Sequence, residues 1–558
     1  MQADFVLDYD VLPLNEPCRL HLMARFVTGP ALHTRTRRPL NLSLVIDRSG
    51  SMAGDKLDFT RQAAQFLVQN LSANDTLSIV LYNDHVETLL LPEKVKRKDA
   101  INQRIGAVTA GGTTNLSSGW LEGCNLVSKN MDEGQVNRVI LMSDGLANRG
   151  VTSTEQLVIM ARQKFEENIT TTTMGLGTDF NEDLLMSMAN AGGGAYYFIE
   201  SPEITPHIFQ EELNGLLNVV GQNLSITITP GDQVRVINQL NAYPQHSDGQ
   251  TLSYRLGDVF AEEVKALVLE LSLNPFTQAG SVQVATLTFE YDELLPDAVR
   301  RHRTDMPVMV NIGEGARADI VSVNPEVNQS VLLLRAAQAR RHAVEAADKG
   351  EFKTAAHVLR VAADAIQHSK IHHPHLLEEQ NALRKQADDL EQGKTGYSHY
   401  QRKTMSTQAF YTMTSRHEDT MMLRVRENER GGAPPPPASN AGDGAPGEHA
   451  HKPTIEIERK PGITPTHVTW KNQTYRLEGD LIRIGRSRHN EIILMAKGVS
   501  RFHCQIKRSD GQLLLEDLGS TNGTSVDGEM VEQPHVLSVG EVAMVCDEQL
   551  VFHDGSYA

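Results

Sequence analysis

Residues 40–218 alternate between short apolar runs and longer stretches whose apolar side chains recur with helical spacing. The run at 40–47, LNLSLVID, predicts a buried strand, and the stretch at 55–71 predicts an amphipathic helix. The same alternation predicts strands at 77–83, 137–144, 169–176 and 195–199, and helices at 116–130, 153–167, 181–190 and 203–218. Strands and helices that alternate at these lengths favour a doubly wound, Rossmann-like α/β domain with a parallel sheet.

Regions of a different pattern flank this domain and make the chain multidomain. Residues 1–37 and 221–315 alternate with a period of two. This pattern predicts antiparallel strands of one β-sandwich, with one or two of them before the α/β domain, which is inserted at 38–220. The remaining segments are predicted as a helical hairpin at 328–392, a polar exposed segment with a disordered Pro/Gly/Ala linker at 393–464, and an all-β sandwich at 465–558.

Charge and cysteine content exclude several classes of protein. Lys and Arg number 53 against 70 Asp and Glu, and the net charge of −17 argues against a protein that coats nucleic acid. The 4 cysteines lie far apart, so neither a disulfide scaffold nor a CxxC site is expected. No apolar run reaches the ~18–20 residues that a membrane helix needs, and the first residues lack a signal-peptide pattern. We therefore expect a cytoplasmic protein without membrane insertion.

Three loops of the α/β domain carry oxygen donors next to predicted strand ends or a helix start. The donors are, in chain order, Asp47, Ser49, Ser51, Thr113 or Thr114, and Asp144. Because open α/β sheets bind ligands at the carboxyl ends of their strands, we expect these side chains to converge. An all-oxygen cage with few charges favours Mg²⁺, with Mn²⁺ or Ca²⁺ as alternatives. Any one of these loops, taken alone, also fits a simple helix cap.

The motifs DRSGS, GGTTN and SDG, in this order, resemble the metal-ion-dependent adhesion site of von Willebrand factor A (VWA) domains. The resemblance covers residues 38–220. It implies that both serines of DRSGS ligate the metal directly, while Asp47 and Asp144 act largely through bound waters. It also implies that Thr114, chosen over Thr113, joins when a ligand binds, and that a partner's carboxylate completes the octahedron. The flanking regions resemble bacterial proteins called calcium-activated chloride-channel-like, although no apolar run is long enough to form a pore.

The C-terminal region carries three blocks, LIRIGRSRHNEI, VSRFHCQI and LEDLGSTNGT, that suit recognition of a phosphorylated peptide. A guanidinium fork beside a hydroxyl matches a phosphate, and an asparagine in a tight loop can hold a peptide backbone. The blocks resemble a forkhead-associated (FHA) domain, a family that binds phosphothreonine. The residues implied are Arg486, Ser500 and Arg501 for the phosphate, and Thr521 and Asn522 for the peptide backbone. Without the resemblance, the arginines would be read as surface charges and the Asn-Gly pair as a hairpin turn.

Together, these motifs predict a non-enzymatic signalling or assembly adaptor. One partner would supply an acidic residue to the Mg²⁺ site, and another would supply a phosphothreonine made and removed by a Ser/Thr kinase and phosphatase. The alternatives are a metal-dependent hydrolase and an accessory subunit of an ATPase or secretion complex. The sequence contains no phosphate-loop motif, and no candidate base stands near the cage, which favours the adaptor.

The polar segment before the linker contains candidate phosphorylation sites. Basic residues stand beside several hydroxyls there, as in many kinase substrates. The candidates are Thr404, Thr407, Thr412, Thr414 and Thr420. The hypothesis is that the FHA domain binds one of them, within the chain or on a second copy. The alternative is a solvated connector whose threonines are incidental.

Overall fold

The computed structural model describes most of residues 1–414 and 463–554, and the chain divides into two compact units, Met1–Thr420 and Met421–Ala558. The description omits residues 10, 30–37, 133–134, 146, 177–179, 200–207, 209–211, 213–214, 217, 296–297, 314–323, 370, 372, 415–462, 472, 478–480, 487–489, 495, 497–498, 501, 510, 519, 521, 532, 547 and 555–558. The predicted linker and helix 203–218 therefore lie largely outside the described residues. No described helix combines the length and hydropathy that crossing a membrane requires.

The first unit contains sixteen described strands and nine described α-helices. The strands are β1 (Gln2–Leu7), β2 (Val11–Pro13), β3 (Cys18–Val27), β4 (Leu40–Asp47), β5 (Thr76–Tyr82), β6 (Val86–Lys94), β7 (Val136–Ser143), β8 (Thr170–Leu176), β9 (Gly193–Ile199), β10 (Val219–Pro230), β11 (Val234–Gln239), β12 (Gln245–Ser247), β13 (Leu252–Phe260), β14 (Val264–Leu273), β15 (Gly280–Leu294) and β16 (Val299–Gly313). The helices are α1 (Asp55–Asn70), α2 (Lys98–Gly106), α3 (Leu116–Ser128), α4 (Thr154–Glu166), α5 (Glu182–Ala191), α6 (Pro325–Asp348), α7 (Phe352–His368), α8 (Pro374–Glu391) and α9 (His399–Thr414).

The predicted α/β domain is present, with strand order β6-β5-β4-β7-β8-β9. Strands β5, β4, β7, β8 and β9 run parallel to one another. Strand β6 pairs with β5 in the antiparallel direction at the edge of the sheet. Every residue of the five parallel strands is buried, as expected when helices cover both faces of a sheet. The edge strand β6 and helix α2 were not predicted. Strand β6 is only partly buried, and its apolar run, Leu89 to Leu91, is short.

Two further sheets form the β-sandwich and confirm that the α/β domain is inserted into it. Their strand orders are β1-β3-β14-β11 and β12-β13-β10-β15-β16-β2. Strand β3 pairs with β14 along its whole length, so strands from either side of the α/β domain are neighbours. Three strands, and not one or two, precede the domain among the residues that the structure describes. Side chains such as Leu22, Leu269 and Phe289 are fully buried in the shared core.

The helical region is larger than the predicted hairpin. Helices α6 and α7 form that hairpin around a short turn, α8 packs beside them, and α9 packs on α6. Helix α9 corrects the prediction of an exposed polar segment. Its Lys403 is buried, donates to the backbone carbonyl of Phe180 at 2.8 Å, and contacts the carboxylate of Glu182 at 2.6 Å. The charge of Lys403 is therefore satisfied by distant protein groups and not by water.

This packing bears on the candidate phosphorylation sites. Thr407 and Thr414 are buried, and Thr404 and Thr412 are half-buried. The hydroxyls of Thr404 and Thr414 donate within the helix, to the carbonyls of Tyr400 and Phe410. Thr420 lies outside the described residues. Phosphorylation in α9 stays a prediction, and it would require this helix to leave its packed position.

The second unit is an all-β sandwich, as predicted. Its strands are β17 (His467–Trp470), β18 (Gln473–Arg476), β19 (Leu481–Gly485), β20 (Ile492–Ile493), β21 (Cys504–Ser509), β22 (Gln512–Asp517), β23 (Thr524–Val526), β24 (Glu529–Met530), β25 (His535–Val536), β26 (Val542–Val545) and β27 (Glu548–His553). They form two sheets, ordered β18-β17-β27-β26-β23-β24 and β20-β19-β21-β22-β25. The loops that follow β19 and precede β21 and β23 carry the residues singled out for phosphate and peptide binding.

Candidate functional site

The oxygen donors of the α/β domain lie in three loops that are bound to one another through the backbone. The amide of Gly50 donates to the carbonyl of Gly112 at 2.9 Å, and the amide of Gly111 donates to the carbonyl of Arg48 at 2.8 Å. Gly112 has a positive φ of 83°, and a Cβ there would lie 2.2 Å from a carboxylate oxygen of Asp84, so this position requires glycine. These contacts hold the loop after β4 beside the loop before α3.

Most of the predicted metal donors are buried. Asp47 and Asp144 have no exposed surface, Ser49 and Thr114 are 1% exposed, and Ser51 is exposed. Asp47 ends β4 and Asp144 follows β7, its parallel neighbour, so the two carboxylates belong to the same edge of the sheet. The donors therefore lie mostly inside the fold, and Ser51 is the exposed member of the set.

The Asp47 carboxylate is held by three donors. The amide of Ser49 donates to Oδ1 at 2.9 Å, while the hydroxyls of Ser143 and Tyr82 donate to Oδ2 at 2.8 and 3.2 Å. Burial raises the pKa of Asp47 to about 6; the bonds from Ser49 and Ser143 oppose this rise and the charge of Asp144 adds to it. The site thus places two carboxylates close enough to repel each other, an arrangement that a cation stabilises.

The spacing of the two serines fits a small hard cation. Their hydroxyl oxygens lie 3.1 Å apart, and Mg²⁺ bonds of ~2.1 Å at right angles place neighbouring ligand oxygens about 3 Å apart. The structure also separates the two threonines: Thr113 is exposed, whereas Thr114 is buried and its carbonyl accepts from Asn148 and Arg149 at 3.0 Å. Among the described residues, no three His, Cys, Asp or Glu side chains cluster as a metal site, so a cation here would rely on hydroxyls.

Three residues at this site were missed from the sequence. Tyr82 is fully buried at the end of β5 and is aligned with Asp47 across the parallel pair of strands. Ser143 precedes Asp144 in the SDG motif, and its Oγ also accepts from the Gly145 amide at 2.9 Å. Lys56, in the first turn of α1, places its ammonium 3.7 Å from Asp144 Oδ2. Only Ser143 could have been found from its position in a motif, because Tyr82 and Lys56 come close to the two aspartates only when the chain is folded.

The predicted phosphate-binding loops of the second unit are joined by one histidine. The amide of Arg486 donates to the carbonyl of Ser500 at 3.0 Å. The amide of Ser500 donates to His503 Nδ1 at 3.0 Å, which makes Nδ1 an acceptor. His503 Nε2 therefore carries the proton and donates it to the carbonyl of Gly523, 3.0 Å away. His503 is fully buried, and burial lowers its pKa, which keeps this neutral form.

The loop predicted to bind a peptide backbone is shaped by Asp517. Its carboxylate accepts from the amide and hydroxyl of Ser520, both at 2.8 Å, and from the hydroxyl of Thr524 at 2.6 Å. Between these residues Asn522 is exposed, and its amide lies 3.6 Å from the sulfur of Cys546.

The structure therefore brings Arg486 and Ser500 together and links them to the loop of Asn522 through His503. Arg486 is exposed and Ser500 is half-buried. The other two predicted residues, Arg501 and Thr521, lie outside the described residues.

Comparison with known proteins agrees with this architecture. The family model of the von Willebrand factor type A domain matches residues 41–211. The family model of the FHA domain matches residues 482–543. The first unit also resembles a solved von Willebrand factor type A protein from Catenulispora acidiphila, with a TM-score of 0.58 and 14% identity over 73% of this chain and 96% of that one. The chain thus combines a VWA domain with a C-terminal FHA domain, and both are typically interaction domains.

Relatives with similar sequences include bacterial and animal proteins. An uncharacterized protein of Synechocystis is 24% identical over 64% of this chain and 86% of its own length. The Escherichia coli protein YfbK is 27% identical over 42% of each chain. The inter-alpha-trypsin inhibitor heavy chain H2 of Sus scrofa is 22% identical over 60% of this chain and 37% of its own length. The chain therefore spans less than half of the last two relatives.

Proposed function

We propose that this protein is a non-enzymatic adaptor that binds one protein through a Mg²⁺-dependent adhesion site and a second through phosphothreonine. The observation that supports the proposal is that one chain carries two groups of candidate binding residues, each assembled from separate loops. Because both sites belong to one molecule, two partners bound at once would be held at a high effective concentration.

The metal part of the proposal rests on the cage. Ser49 and Ser51 would bind Mg²⁺ through their hydroxyls, and Asp47 and Asp144 would act largely through bound waters, with Mn²⁺ or Ca²⁺ as alternatives. The burial of Thr114 supports it as the threonine that joins when a ligand binds. A carboxylate from the partner would complete the coordination, since Mg²⁺ prefers oxygen ligands and octahedral geometry.

The phosphothreonine part rests on the loops of the FHA domain. Arg486 is exposed and therefore accessible to a phosphate, and its backbone is tied to Ser500. A guanidinium and a hydroxyl side by side can form charge-assisted hydrogen bonds with the phosphate. Asn522, linked to this pair through His503 and Gly523, would hold the peptide backbone, with Thr521 and Arg501 assisting. A Ser/Thr kinase and a phosphatase would then control the second partner.

The test is affinity capture from the native lysate with the full chain and two variants. Ser49→Ala removes one proposed metal ligand, and Arg486→Ala removes the main phosphate contact. We expect each variant to lose a different set of partners, with chelator mimicking the first variant and phosphatase treatment mimicking the second. If both variants and both treatments retain all partners, the proposed adaptor function is wrong.

A further inference from the structure

A lysine faces the metal cage from the first turn of α1. The ammonium of Lys56 lies 3.7 Å from Oδ2 of Asp144, and its side chain is 23% exposed while that of Asp144 is fully buried. The other basic residue of this loop region, Arg48, pairs with Glu87 at 2.9 Å. Lys56 therefore supplies positive charge to a buried carboxylate at the site.

This charge has a clear physical role in the absence of a metal ion. Asp47 and Asp144 are both fully buried, and their charges repel each other. Burying a carboxylate is unfavourable unless an opposite charge or hydrogen bonds compensate for it. At 3.7 Å the ammonium is beyond ordinary hydrogen-bond distance from Oδ2, so it acts mainly as a nearby charge. Lysine suits this role because its ammonium is a compact charge on a flexible stem.

We propose that Lys56 sets the cation affinity of the metal centre by competing with the divalent ion for Asp144. This inference rests on the proposed metal site and adds the residue that tunes it. A divalent cation that enters the cage must share the carboxylate with an ammonium of like charge, so the bare site binds metal weakly. Repulsion between charges a few ångströms apart remains substantial at a partly buried site.

The test measures Mg²⁺ and Mn²⁺ binding to the full chain by titration calorimetry after removal of bound metal with chelator. Lys56→Met removes the charge and keeps the length of the side chain, and Lys56→Gln serves as a second neutral variant. Lys56→Arg keeps the charge. The matched control is Lys164→Met, which removes a lysine of α4 that pairs with Glu167. Thermal unfolding of each variant confirms that it is folded.

We expect both neutral variants to bind Mg²⁺ about tenfold more tightly than the wild type, which corresponds to about 1.4 kcal/mol. Lys56→Arg and Lys164→Met should bind like the wild type. An unchanged or weaker affinity in both neutral variants, or an equal gain in Lys164→Met, would overturn the role of Lys56 while leaving the metal site intact. If neither the wild type nor any variant binds a divalent cation, the metal centre itself is wrong, and this inference with it.

Discussion

The two candidate recognition sites of this protein are built in opposite ways. In the VWA domain, the carboxylates of Asp47 and Asp144 are fully buried, and three donors hold the first of them in place. In the FHA domain, Arg486 and Asn522 are exposed, and His503 holds the backbone of their loops together.

The difference reflects the charge that each site is proposed to bind. A cation site needs anionic oxygens at a fixed distance, so the fold holds them rigidly and tolerates the unfavourable burial of like charges. A phosphate site can use a long side chain at the surface, which Arg486 provides. At the metal site, we therefore expect substitutions of the donors and of the residues that hydrogen-bond to them to weaken binding. At the phosphate site, we expect effects mainly from the residues that contact the ligand and from the buried His503.

The largest effect should come from Asp47→Asn. The variant keeps the shape of the side chain and can still accept from Tyr82 and Ser143, but it removes one of the two anionic charges of the cage. We expect Mg²⁺ affinity to fall by roughly a hundredfold or more, since even second-layer residues change metal affinity by about 10–100-fold. Calorimetry on the full chain measures this loss, and thermal unfolding serves as the control for folding. Unchanged Mg²⁺ binding would contradict the assignment of Asp47.

The next largest effect should come from Arg486→Ala. Losing a charge-assisted bond to phosphate costs about 1.5–3 kcal/mol, so affinity for a phosphothreonine peptide should fall roughly tenfold to a hundredfold. Stability should hardly change, because Arg486 is exposed. Fluorescence anisotropy with phosphorylated and unphosphorylated peptides measures the change. Arg483→Ala, three residues earlier on β19 and paired with Glu491 at 3.0 Å, is the matched control and should bind like the wild type.

Removing the brace in the FHA domain should affect stability and its pH dependence. Because burial lowers the pKa of His503, the unfolded chain takes up the proton more readily than the folded one. The contribution of His503 to stability is therefore complete above the unfolded pKa of about 6.5 and is lost as the pH falls below it. We expect His503→Gln to lower the free energy of unfolding by about 1–3 kcal/mol at pH 7. Between pH 7 and 5, the variant should lose less stability than the wild type.

Tryptophan fluorescence can measure this effect in the intact chain. The protein has 2 tryptophans, of which Trp470 lies in the FHA domain, so a Trp120→Phe background makes the emission report that unit alone. Urea unfolding is then compared in this background with and without His503→Gln. Equal stability and an equal pH response in both proteins would mean that His503 does not brace the two loops.

The smallest effect should come from Tyr82→Phe at the metal site. The variant removes one of three donors to Asp47 and keeps the ring, and one hydrogen bond contributes about 1 kcal/mol. We expect Mg²⁺ affinity to fall by about fivefold, against a much larger loss for Asp47→Asn. Ser143→Ala should behave similarly because it removes the other hydroxyl donor. If both variants bind Mg²⁺ as tightly as the wild type, the donors around Asp47 do not position it.

The sequence alone was sufficient to predict the secondary structure and the motifs that depend on residues close together in the chain. The strand predicted at 40–47 is Leu40–Asp47, and the helix predicted at 55–71 is Asp55–Asn70. Both domain types were also recognisable, because their motifs combine glycine-dependent turns with hydroxyl, acidic or basic side chains that are close in the chain. These features come from the preferences of neighbouring residues, which a pattern records directly.

Only the tertiary structure decided what depends on contacts between distant residues. Helix α9 was mistaken for an exposed connector because its charges are satisfied far away in sequence: Lys403 by Glu182, and Arg402 by Asp183 and Asp348 at 2.8 and 2.7 Å. Tyr82 and Lys56 likewise reach the cage through strand register and helix placement. A hydropathy pattern predicts that a charged or hydroxyl side chain is solvated. Only the folded structure shows that a protein group distant in sequence has replaced the water around it.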